Sequence, residues 1–120
     1  MLDHVTLRTP QFERLAAFYE AALAPLGASK MMAFDDAAGF GRDAMPTLWL
    51  GASTEGSPRT HVAITAPSRA AVDAFYAAAL AAGATDNGRP GLREYGPNYY
   101  AAFVYDPDGN NLEAVCHAAE

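Results

Sequence analysis

The sequence is 120 residues long, 51% apolar and 18% charged, with a formal charge of −6. That length suits one compact domain burying roughly two thirds of the surface its unfolded chain would expose, and the apolar content argues against disorder. The acidic balance argues against nucleic acid and anionic membrane surfaces as partners, and no apolar run approaches the ~20 residues of a membrane span.

In chain order, residues 3–8 alternate, with Val5 and Leu7 on one side and His4, Thr6 and Arg8 on the other, which is the period of a strand. Pro10 ends it. Phe12, Leu15, Phe18, Tyr19, Ala22 and Leu23 then recur at helical spacing through residues 11–25, until Pro25 and Gly27 stop the helix. Residues 29–35 and 38–42 are expected to be strands around an Asp35-Asp36 turn, and residues 46–51 a third. Residues 52–58, rich in Gly, Ser and Pro, read as a joint. The order then recurs: a strand over 60–65, a helix over 68–82 with Ser68 as N-cap, and strands from about 85, over 99–105 and over 110–117. Asp106-Pro107-Asp108-Gly109-Asn110 reads as a tight hairpin turn; a calcium loop would need a bidentate Glu at the twelfth position and flanking helices. The lone Cys116 has no partner for a disulfide or a metal and reads as a small buried hydrophobe. The N-terminus lacks the basic start and apolar core of a signal peptide, so a cytoplasmic location is expected.

The recurrence is also one of sequence. Shifted by 57 positions, residues 4–23 match residues 61–80 at nine of twenty places, among them His4 with His61, Pro10 with Pro67, and Phe18-Tyr19 with Phe75-Tyr76. Chance would give about one or two, so the chain carries an internal duplication. The expected fold is α+β: two tandem βαβββ modules, about 1–52 and 59–120, within a single domain of residues 1–120. In the last strands, Leu48-Trp49-Leu50 corresponds to Leu112-Glu113-Ala114.

An amphipathic helix needs an apolar sheet face to cover it. Val5, Leu7, Val62, Ile64, Leu112 and Ala114 therefore face the helices, and alternation sends His4, His61 and Glu113 to the opposite face. Two imidazoles and a carboxylate there would be costly to enclose without a partner for the charge. One divalent ion, Fe, Mn, Zn, Ni or Co, would supply it and keep positions open for water or a substrate oxygen. His117 lies on the same face but ~13 Å beyond Glu113, too far to share that ion, and reads as a terminal surface residue.

The paired modules, Asp3-His4-Val5-Thr6-Leu7 and Thr60-His61-Val62-Ala63-Ile64, the Phe-Tyr helix pattern and the run from Phe103 to Glu113 together resemble the vicinal oxygen chelate superfamily, also called the glyoxalase / bleomycin resistance protein / dioxygenase superfamily. The resemblance implies that His4, His61 and Glu113 match the family's metal positions. It also implies that the modules curl into an open, barrel-like sheet around the ion with helices outside, and that the chain forms a homodimer. Glyoxalase I enzymes carry a carboxylate at the position of Trp49, which can neither bind metal nor accept a proton, so classical glyoxalase I activity is disfavoured. Fosfomycin-modifying enzymes and extradiol dioxygenases place a tyrosine ten residues before the glutamate, where this chain has Phe103.

A substrate pocket over the metal is expected from Trp49, Phe103 and Thr6, with Arg8 beside them and residues 92–100 as its rim. Within that rim Arg93 and Tyr100 would supply a cation and an aromatic wall. Tyr99 reads as an ordinary strand tyrosine. No residue outside the metal set stands out as a general base. The preferred function is a metal-dependent enzyme (lyase, transferase or dioxygenase) acting on a small oxygen-bearing molecule by Lewis-acid chelation. The alternative is a bleomycin-resistance-type protein that binds a small molecule without catalysis.

Overall fold

A computed structural model describes residues 1–120. The first module runs β1 (Val5–Thr9), α1 (Phe12–Leu23), a 3-10 turn (Ala24–Leu26), β2 (Ser29–Ala33), β3 (Ala37–Gly41) and β4 (Leu48–Ala52). The second runs β5 (His61–Thr65), α2 (Arg69–Ala81), β6 (Thr85–Leu92), β7 (Tyr100–Tyr105) and β8 (Asn111–Cys116). The fold is α+β with two βαβββ modules, as the sequence implies. Each module forms a four-stranded sheet in which the first and last strands pair in parallel, in the orders β1-β4-β3-β2 and β5-β8-β7-β6.

The duplication persists in the register. Thr6 stands opposite Trp49 as Ala63 stands opposite Glu113, and Val5 opposite Leu48 as Val62 opposite Leu112. Local chemistry sets the helix ends. Ser68 caps α2, its side chain accepting from the Ala71 N–H. The first helix stops at Leu23, the last residue of its apolar stripe and short of the expected end at residue 25. Pro25 shapes the following 3-10 turn, and Gly27, at φ 81°, closes it in the left-handed region.

One apolar cluster joins the modules. Leu15, Phe18, Tyr19 and Leu23 of α1 bury against Leu7, Phe40 and Leu50, while Val72, Phe75 and Ala79 of α2 share the cluster with Val104, Leu112 and Ala114. Each fully buried Leu or Phe contributes about 1.5–3 kcal/mol. The helices also pack on each other, so the helix-facing sides of both sheets turn toward a common core and their other faces turn away from it. The sheets are open rather than closed into a barrel, as the sequence implies. Within one chain the two sheets stay separate and do not close around a shared cavity.

Polar contacts fasten the modules together. Arg42 of the first module donates to the Thr65 carbonyl at 2.7 Å and to the Leu26 carbonyl at 3.2 Å. Gln11 donates to Asp108 and, at 3.2 Å, to the Pro107 carbonyl. Tyr19 donates its hydroxyl to Asp106 Oδ2 at 2.6 Å, in the interior. Burial first, and then the Asp106 carboxylate, raise the Tyr19 phenol well above its ordinary value. Because the folded value lies above the unfolded one of about 10, this contribution is intact below pH ~10 and is lost as pH rises beyond it toward the folded value. Urea unfolding between pH 8 and 11 is expected to show wild-type stability falling more steeply above pH ~10 than that of Tyr19→Phe. Parallel curves would contradict it. No helix is long and apolar enough to cross a membrane.

Candidate functional site

The outward faces of the two sheets hold the residues singled out in the sequence in two separate groups. On the first sheet, His4 lies just before β1, its Nδ1 2.6 Å from Asp3 Oδ1. It lines a cleft of about 450 Å³ together with Thr6, Arg8, Asp36 and Trp49. Trp49 can lie flat across the sheet because its neighbour on β3 is Gly39: a Cβ there would sit 3.0 Å from the indole and 2.9 Å from Pro46 Cβ. His4, Thr6 and Trp49 thus line one cleft, on the first sheet only.

On the second sheet, His61 Nε2 lies 2.8 Å from Glu113 Oε1. Glu113 is 1% exposed although it sits on the outward face. A carboxylate so enclosed must have partners, and its second oxygen, Oε2, accepts from the Tyr99 hydroxyl. Phe103 stands opposite Glu113 in the β7–β8 register, with the Arg93 guanidinium 5.3 Å from its ring centroid. Phe103 in turn faces Gly88, where a Cβ would crowd the ring at 3.2 Å and Arg93 at 3.1 Å.

Tyr99 is the residue that sequence reasoning missed. It lies in the loop before β7. Tyr95 and His117 each meet its ring edge-to-face, with centroids 5.3 and 5.2 Å away. The hydrogen bond to Glu113, then burial and the charge of Glu113, push the Tyr99 phenol up to about 12. His117, expected to be a bystander, reaches this cluster through the Tyr99 ring. Tyr100 belongs elsewhere: its hydroxyl donates to Asp73 of α2 at 2.7 Å and Arg69 lies over its ring, so it packs on the helix side of the sheet.

The expected ligand set is therefore divided. His61 and Glu113 stand together, His4 stands on the other sheet, and no group of three or more His, Cys, Asp or Glu side chains is placed to hold a metal within one chain. The donor chemistry fits a divalent transition ion, but one chain assembles only two of the three donors.

The profile of the Glyoxalase/Bleomycin resistance protein/Dioxygenase superfamily matches residues 1–114. The chain belongs to this superfamily. Among solved structures it resembles a glyoxalase/bleomycin resistance protein from Albidiferax ferrireducens at 30% identity and a TM-score of 0.80, covering 96% of this chain and 97% of that one. A glyoxalase/bleomycin resistance protein/dioxygenase family enzyme from Burkholderia phytofirmans shares the fold at 20% identity and a TM-score of 0.75, covering 98% of each chain. A glyoxalase I mutant from Zea mays matches at 27% identity and a TM-score of 0.72, over 95% of this chain but 46% of the maize chain. Among curated proteins none matches this sequence. Superfamily membership accounts for the duplicated fold; it does not by itself fix a reaction.

Proposed function

We propose that the protein is a divalent-metal-dependent enzyme of this superfamily, acting in the cytoplasm on a small oxygen-bearing molecule, with the ion held by His61 and Glu113 of one chain and His4 of a second copy. The observation that carries this reading is the His61–Glu113 pair, 2.8 Å apart on an outward face with the carboxylate almost fully enclosed. An imidazole and a carboxylate in contact are two thirds of a facial set, and the duplication supplies the remaining imidazole at the equivalent position of the other module. When bound, the ion would supply Lewis-acid polarisation of a substrate oxygen. This chain's own residues would do the rest. Trp49 and Phe103 wall the two half-sites, Asp3 orients the His4 ring, and Arg8 and Arg93 offer positive charge to an anionic or polarised group. Trp49 cannot transfer a proton, which speaks against glyoxalase I chemistry despite the likeness to the maize enzyme.

Elemental analysis of protein purified without a histidine tag or chelator tests the reading, alongside a His4→Ala/His61→Ala double variant. The expected result is about one divalent transition ion per chain, absent from the variant. Wild-type protein without metal even after reconstitution would overturn it. The aromatic faces around Trp49, Tyr95, Tyr99 and Phe103 would then favour metal-free binding of a small aromatic molecule.

A further inference from the structure

We infer that Tyr99 is a positioning residue for the proposed metal centre, holding Glu113 Oε2 so that Oε1 alone is presented beside His61. The inference rests on the metal reading above. A carboxylate has two equivalent oxygens and a freely turning terminal torsion, so a lone Glu113 could offer either oxygen, or both, to an ion. Here the choice is already made, since the Tyr99 hydroxyl occupies Oε2 and His61 Nε2 lies 2.8 Å from Oε1.

The phenol itself is held from several sides. Tyr95 and His117 flank its ring edge-on. The Arg93 N–H donates to the Tyr99 carbonyl at 2.8 Å, closing the loop that carries the ring. Asn98, just before it, adopts the left-handed region at φ 58°, a conformation asparagine tolerates better than most residues. The rim loop and the ligand carboxylate are thus coupled through one hydroxyl. Outer partners that orient a ligand in this way are worth about 10–100-fold in metal affinity.

The test is Co(II) affinity, measured by competition with a chromophoric chelator, for wild type, Tyr99→Phe and Tyr99→Leu, with thermal unfolding of the metal-free proteins to establish which variants fold. A folded variant is expected to bind Co(II) about 10–100-fold more weakly than wild type and to show an altered visible spectrum, because the carboxylate is free to turn. If Tyr99 merely satisfies a buried carboxylate, the metal-free variants will melt earlier while affinity and spectrum stay unchanged, and the inference is overturned with the metal reading intact. A wild-type protein that takes up no Co(II) overturns both.

Discussion

Replacing Asp106 by alanine will destabilise the protein by about 3–5 kcal/mol, a large part of the 5–15 kcal/mol typical of a domain. Asp106 is 4% exposed, and its two oxygens accept four hydrogen bonds. Oδ1 takes the N–H groups of Asp108 and Asn110, each at 2.9 Å, and so shapes the β7–β8 turn. Oδ2 takes the Asn110 side chain at 2.8 Å and the Tyr19 hydroxyl at 2.6 Å, which ties that turn to the helix of the other module. Alanine would strand the buried donors of Tyr19 and Asn110, each at about 1–3 kcal/mol, and leave the half-buried Asp108 N–H to water, with partial relief from relaxation. Asp106→Asn keeps one carbonyl acceptor for the turn and should lose about half as much. Urea unfolding of the two variants and of Tyr19→Phe, combined with Asp106→Ala in a double-mutant cycle, separates the turn from the inter-module link. An Asp106→Ala protein within 1 kcal/mol of wild type would show that the turn holds without its carboxylate.

What could be read from the residues follows from parity and repetition. Alternation assigns each strand residue to one of two faces, and the duplication repeats that assignment in the second module, so the residues alone place His61 and Glu113 on one face. The structure sets them on adjacent strands, Glu113 opposite Ala63. The same parity excludes one expectation. Phe103 and Tyr100 are three residues apart on one strand and cannot share a face, and Tyr100 indeed turns to α2. Periodicity has no hold on two other features. It cannot say how one sheet is placed against the other, which here follows from α1–α2 packing and from the Arg42, Gln11 and Tyr19 bonds. Nor can it describe a loop whose course depends on Asn98 at positive φ and on the register shifts of β6, so the path of Tyr99 to Glu113 was illegible.

Mixing two metal-free variants should restore metal binding. If the ion joins His61 and Glu113 of one chain to His4 of another, a His4→Ala dimer and a Glu113→Gln dimer each lack a complete site. In a heterodimer, the Glu113→Gln chain contributes its intact His4 while the His4→Ala chain contributes its intact His61 and Glu113, which rebuilds one site of the two. Random exchange of equal amounts through a twofold dimer should give about a quarter of the wild-type metal content, and heterodimers isolated by two different affinity tags other than polyhistidine should hold about one ion per dimer. Each variant alone should be weaker by about a hundredfold or more, since removing a first ligand costs at least as much as removing an outer one. The physical basis is the placement of His4 on a sheet face turned away from the core that the modules share, while His61 occupies the corresponding face of the other sheet. A site completed within one chain would need the modules to swing apart, breaking the Tyr19–Asp106 and Arg42–Thr65 bonds; in that case mixing would restore nothing. Dilution gives an independent reading, because an ion shared between copies stabilises the dimer by mass action, so its apparent affinity must fall as protein concentration drops below the dimer dissociation constant.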